Sequence, residues 1–251
     1  MPFTQIVMPQ FRDADEDGLI GIRGCMRCFQ DIHTWYMHSM NKGNDVLPEQ
    51  YGAAWIYTRY QIRLHRKMDY SGPMTLSTWI EPGRQPARVT LNVTIQQGGG
   101  LTAEGRLESC IYSLTQRRPL RLSAVKFPEN LAEDLAHEIP AFRKLGKDTE
   151  GMETRYYKTV RISDLDKSRH MTNLRYIEMF QDAYNSAFWD RFQPSEMEIC
   201  FLSQCMEGET LTVKSRAEER SLYLAAQHDD GSVAAVAVFV REPADGILTD
   251  E

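Results

Sequence analysis

At 251 residues the chain has room for one large domain or two ordinary ones, and a 42% hydrophobic content suffices for packed cores. A 25% charged fraction with a formal net charge of −6 excludes a broadly basic surface of the kind that binds nucleic acid or anionic membrane. Five cysteines, an odd number in no scaffold-like array, point to reduced thiols rather than a disulfide framework.

The opening segment, MPFTQIVMPQFRDADEDG, has no basic stretch leading into an apolar run, and no apolar run is long enough to span a bilayer. A cytoplasmic location is therefore expected. Thr4 to Met8 reads as a strand. From Arg23 to Met40 the residues Cys25, Cys28, Phe29, Ile32, Trp35, Tyr36 and Met40 fall on one face of a 3.6-residue period, so a helix is expected there, stopped by Asn41-Lys42-Gly43. Cys25 and Cys28 form a CxxC, but they sit at helical spacing with no second CxxC or His pair to complete a zinc site. Core packing is the expectation, and no metal or other cofactor is implied. Four strands follow, Ala54 to Leu64, Met74 to Ile80, Arg88 to Gln96 and Leu101 to Leu114, with turns at Gly72-Pro73 and Gly98 to Gly100.

Ser123 to Glu150 is charged and reads as a linker carrying a short helix, Asn130 to Glu138. The second half then repeats the order of the first. A strand is expected over Arg155 to Ile162, and a helix over Asn173 to Trp189, apolar nearly all round and so buried. Four more strands are expected over Glu198 to Cys205, Thr210 to Arg216, Ser221 to Gln227 and Val233 to Arg241, with Asp229-Asp230-Gly231 as a hairpin turn. Phe29-Gln30-Asp31 recurs as Phe180-Gln181-Asp182, 151 residues on, inside both helices. Two β-α-β-β-β-β repeats of this kind fit an α+β fold, a tandem or double hotdog in which each antiparallel sheet wraps a long helix and the two sheets pair edge to edge. The expected domains are residues 1–122, a linker at 123–150, and residues 151–251.

Chemistry concentrates in SDLDKSRHMTNLRYIEMFQDA, Ser163 to Ala183. Asp166 and His170 stand four residues apart with Ser168 between them, just before the second helix begins at Thr172 or Asn173. Acid–base groups therefore lie beside helix N-terminal amides that have no intrahelical partner and carry a partial positive charge. Water could be activated by Asp166 and His170 while an oxyanion forms near the amides of Thr172 and Asn173. Taken without wider context, a turn or cap carboxylate and a satisfied polar histidine explain the same residues.

The segment also resembles the signature of acyl-acyl carrier protein thioesterases, SDLDxNxHVNNxxYIxW. Ser163, Asp164, Leu165, Asp166, His170, Asn173, Tyr176 and Ile177 match in register. The order of elements matches over nearly the whole chain, including the Trp55-containing strand and the TQRRPLRL turn at Thr115 to Leu122. The resemblance implies a double hotdog that hydrolyses the thioester of fatty acyl-acyl carrier protein, with Asp166 and His170 as catalytic residues. Two positions depart from the pattern: Ser168 stands for the usual asparagine, and Gln204 for the glutamate that precedes a cysteine, here Cys205. Serine still donates a hydrogen bond with shorter reach, whereas glutamine is no carboxylate base. Two routes stay open, a water positioned by Asp166 and His170 with Ser168 or Gln204 on the carbonyl oxygen, and a Cys205 nucleophile activated by His170.

An acyl tail needs an apolar slot, for which Trp35, Tyr36, Met40, Trp55 and Tyr57 in the first half are candidates, with plain core as the competing reading. An acidic carrier protein and its pantetheine phosphate need cations; Arg117, Arg118, Arg121 and Lys126 form one basic stretch, and Arg63, Arg66 and Lys67 another. Acyl-CoA hydrolysis, dehydration of hydroxyacyl thioesters and non-catalytic acyl binding remain alternatives. No nucleic-acid or membrane partner is expected, and monomer and homodimer are both compatible with an internal repeat.

Overall fold

The computed structural model describes residues 1–83, 85–133, 135 and 139–242. It divides into two compact units, Met1–Arg143 and Lys144–Glu251. Residues 134 and 136–138 of the expected Asn130 to Glu138 helix lie outside the described residues; before them, Ala132 pairs with Ile80 in an isolated bridge instead of a helical turn.

In the first unit, β1 (Phe3–Val7), α1 (Ile22–Ser39), α2 (Leu47–Tyr51), β2 (Ala53–Leu64), β3 (Met74–Ile80), β4 (Arg88–Gln97) and β5 (Gly100–Ser113) follow in order. The strands form an antiparallel sheet, β1-β3-β4-β5-β2. Helix α1 packs on β2, β3, β4 and β5. Its inward face carries Cys25, Phe29 and Ile32, all fully buried, so each apolar side chain contributes on the order of 2 kcal/mol by leaving water. The close approach has a sequence cause. A Cβ on Gly105 of β5 would stand 1.9 Å from the Gln61 carbonyl oxygen and 2.6 Å from the Phe29 ring, so only glycine lets helix and sheet meet there. The short α2 escaped the periodicity reading, yet its signals are present: Pro48 in the first turn and Gly52, at φ +57°, ending it.

The second unit contains β6 (Glu153–Thr159), α3 (Asn173–Gln181), α4 (Ser186–Phe192), β7 (Glu196–Phe201), β8 (Thr210–Ala217), β9 (Ser221–Gln227) and β10 (Val233–Val240). Its antiparallel sheet runs β6-β8-β9-β10-β7, the same relative strand order as in the first unit. The single long helix expected over Asn173 to Trp189 is two helices. Asn185 caps α4, its side-chain oxygen accepting the Phe188 N–H at 3.0 Å, and that local bond outcompetes helix continuation. Burial is also one-sided: Tyr176, Ile177, Met179 and Phe180 are buried, whereas Leu174, Tyr184 and Phe188 are half-buried and Ala187 is exposed. Trp189 closes the far end, edge-on to Phe239 of β10 at 5.5 Å. No described helix is long and apolar enough to cross a membrane.

Candidate active site

Between β6 and α3 the chain makes a 3-10 turn, Ile162–Asp164, in which the Asp164 carboxylate accepts the Arg161 N–H at 2.8 Å and meets Lys158 Nζ at 3.0 Å. Burial, the largest single influence, pushes the Asp164 carboxyl up, but the Arg161 amide, Lys158 and Arg175 together hold it below the usual carboxylate range. Asp164 thus anchors the turn. The next four residues close a tight loop: Asp166 N–H donates to the His170 carbonyl at 2.9 Å, and Arg169 N–H to the Asp166 carbonyl at 3.0 Å. Asp166 Oδ1 accepts the Ser168 N–H at 2.7 Å and stands 3.4 Å from the His170 nitrogen, which orients the carboxylate from below. Asp166 and Ser168 are exposed and His170 is half-buried at the mouth of α3.

A strap from β7 runs beside this loop. Met171 N–H donates to the Cys205 carbonyl at 2.9 Å, and His170 pairs with Met206 across an antiparallel bridge. The structure therefore brings Asp166, Ser168, His170, Asn173 and the Gln204 strap together. Gln204 itself is exposed. One expectation needs correction: the Thr172 amide is not a free donor, because it is bonded to the Asp164 carbonyl at 2.9 Å, so of the two named amides only that of Asn173 belongs to the open first turn.

Cys205 faces elsewhere. It is fully buried, accepts a hydrogen bond from Tyr176 Oη at 3.0 Å, and lies 3.9 Å from His228 Nε2. Burial pushes its thiol up to about 11. Side chains alternate along an extended strap, so the residue next to Met206 projects away from the face that Met206 shares with His170. Tyr176, Ser203, Glu209 and His228 around this thiol were not singled out as functional from sequence. The one usable signal was that His228, among only six histidines, adjoins the Asp229-Asp230-Gly231 turn.

In the first unit, Trp55 and Tyr57 gather around the buried His33 of α1. Trp55 and Tyr57 present edges at 5.7 and 5.0 Å to its ring, Tyr57 Oη lies 3.4 Å from Nδ1, and Ser109 Oγ lies 2.9 Å from Nε2. Burial lowers the His33 pKa to about 3. Tyr36 stacks on Phe3, Met40 is half-buried at the helix end, and Trp35 is 38% exposed on the outer face of α1. None of these five lines the cavity of about 230 Å³ in this unit, whose walls include Ile80, Arg88, Leu122 and Phe127. Arg117, Arg118, Arg121 and Lys126 are all exposed. Arg66 and Lys67 are committed within the unit, to the Gln97 carbonyl and to Asp17.

Residues 146–238 match the model of the acyl-ACP thioesterase C-terminal domain. No curated protein matches the chain. Among solved structures, an acyl-ACP thioesterase from Bacteroides thetaiotaomicron VPI-5482 is similar with a TM-score of 0.82 at 16% identity, over 96% of this chain and 98% of that one. A putative oleoyl thioesterase from Lactobacillus plantarum gives 0.76 at 15% identity, covering 97% of each chain. The 12:0-ACP thioesterase from Umbellularia californica gives 0.75 at 16% identity, over 96% of this chain and 97% of that one. At these identities the structural likeness speaks for the fold.

Proposed function

We propose that the chain, whose residues 146–238 match the model of the acyl-ACP thioesterase C-terminal domain, hydrolyses the thioester of fatty acyl-acyl carrier protein at the loop between β6 and α3, releasing a free fatty acid. The observation that carries the reading is the Asp166–His170 closure at the N-terminus of α3, beside the Gln204 strap. Asp166, oriented by the Ser168 and His170 amides, and His170 position and deprotonate a water. The Asn173 amide, with Ser168 Oγ or the Gln204 amide, stabilises the oxygen that becomes negative as water adds to the carbonyl carbon. The C–S bond then breaks, and the moderate pKa of the leaving thiol makes its protonation undemanding. A Cys205 nucleophile fits less well, since the thiol is buried, engaged by Tyr176 and shifted toward the neutral form.

In this reading each unit is a hotdog, with α1 and α3 as the wrapped helices. Arg117, Arg118, Arg121 and Lys126 offer an exposed basic stretch for an acidic carrier protein and its phosphate. The test is free-thiol release from acyl-acyl carrier proteins of graded chain length, beside the matching acyl-CoAs and an Asp166→Ala variant. Release by the wild type that is lost in the variant supports the reading. Binding without release assigns the chain to acyl binding instead.

A further inference from the structure

On the face of the strap where Cys205 lies, a second group of polar side chains converges on His228. Its Nε2 is 2.8 Å from Ser203 Oγ, and its Nδ1 is 3.6 Å from Glu209 Oε2. A carboxylate can only accept, so with the ring proton on Nδ1, the side that faces Glu209, the Nε2 lone pair is left to receive the Ser203 hydroxyl. Glu209 is held in place: its Oε2 accepts the Met206 N–H at 3.1 Å, and its own N–H donates to the Met206 carbonyl at 3.2 Å across a turn with Gly208 at φ +86°. The Ser203 main chain is tied to β10 through its N–H bond to the Ala234 carbonyl, 3.2 Å, while the side chain is exposed.

Cys205, Glu209 and His228 place their potential ligand atoms within 4.8 Å of one another, which raises the question of a metal. The two acidic partners address opposite nitrogens of one imidazole, however. Glu209 faces Nδ1 and Cys205 lies 3.9 Å from Nε2. A single cation bound to one ring nitrogen needs thiolate and carboxylate on that same side. The arrangement is instead that of a nucleophile, a base and an acid that orients the base.

We propose that Ser203, His228 and Glu209 form a second acyl-transfer centre, taking its acyl group from activated esters and thioesters. The thioester part of that substrate class rests on the function proposed above, whereas the ester part does not. His228 Nε2 takes the Ser203 hydroxyl proton as the Oγ–C bond forms, and the C–S or C–O bond of the substrate breaks. The departing thiolate or alkoxide collects the proton from His228, leaving an ester on Ser203. Water then adds to the ester carbon and gives a proton to His228; the C–Oγ bond breaks, and Oγ regains that proton as the free acid leaves.

The test uses the full chain and a fluorophosphonate probe, with mass spectrometry of the modified peptide, beside acyl-ACP thiol release by the same preparation. One adduct on Ser203 is expected, absent in Ser203→Ala, with a labelling rate about a hundredfold lower in His228→Gln. Glu209→Gln, the milder change, slows labelling less and guards against a folding defect in the histidine variant. A wild type without a Ser203 adduct, or equal labelling rates in all variants, overturns the relay. Thiol release without a Ser203 adduct removes the relay alone; a Ser203 adduct without thiol release removes the thioesterase reading alone.

Discussion

The loops that lead into α1 and into α3 share one backbone design and differ in what they carry. Each opens with a 3-10 turn whose aspartate accepts the N–H three residues back, Asp13 from Gln10 at 2.9 Å and Asp164 from Arg161 at 2.8 Å. Each closes with the same pair of bonds. Asp15 N–H reaches the Leu19 carbonyl at 2.7 Å and Gly18 N–H the Asp15 carbonyl at 2.9 Å, as Asp166 and His170, Arg169 and Asp166 do in the second loop. The residue before the closure has positive φ in both, +76° at Gly18 and +61° at Arg169. These correspondences keep the 151-residue offset of the Phe-Gln-Asp repeat. Yet Leu19 stands where His170 stands, and Asp15 is paired with Arg23 at 3.1 Å where Asp166 is exposed. Burial raises the Asp15 pKa against the pull of Arg23 and Lys67. The shared geometry is a way into a helix, and the chemistry proposed for the second loop is a property of two side chains mounted on it.

That contrast predicts its largest effect in turnover. Asp166→Asn and His170→Ala each lower thiol release from acyl-ACP by about 10²–10⁴-fold, while Asp15→Asn stays within about twofold of wild type. Comparable losses in both loops, measured by steady-state thiol assay, end the distinction.

The next effect separates the helices. At the 151-residue offset, the position of buried His33 on unbroken α1 is Tyr184, beyond the end of α3. Because His33 titrates near 3 when folded and near 6.5 when unfolded, the unfolded chain binds the extra proton between those values. Stability is therefore full above pH 6.5 and falls as the pH drops, by about 3 kcal/mol at pH 4. Denaturant midpoints against pH show this slope in the wild type and a flatter one in His33→Gln; equal slopes remove His33 as the cause.

A smaller gain is expected from Gln204→Glu, which supplies a carboxylate beside the His170 loop and raises kcat about tenfold. An unchanged or lower rate takes Gln204 out of the site. Smaller still is the exchange of the positive-φ residues: Gly18→Arg costs about 1 kcal/mol, and Arg169→Gly gains about 0.5–1 kcal/mol, read from denaturant midpoints. Finally, Leu19→His restores no hydrolysis to His170→Ala, since the first loop keeps Asp15 against Arg23. Recovered thiol release in that double variant makes the loops interchangeable.

Strand positions were legible in the residues because alternation and turn glycines act over a few neighbours; β3 and β9 have the bounds that periodicity predicts. The helix break was misread for an equally local reason, a capping Asn185 hidden inside an apolar rhythm. The candidate site was half legible. Asp166, Ser168 and His170 lie within five residues, and a contiguous motif needs no folding to be seen.

Sequence alone determined the succession of strands along the chain and the loop that carries Asp166 and His170, since each rests on short-range spacing. Tertiary structure decided what spacing cannot encode: that the Thr172 amide is spent on Asp164, that Cys205 turns beneath Tyr176, and that Ser203, Glu209 and His228 meet. Ser203 and His228 are 25 residues apart and join only because the β9–β10 hairpin folds back onto the end of β7. Such contacts depend on strand pairing and side-chain direction, which the packed sheet sets and the linear pattern leaves open.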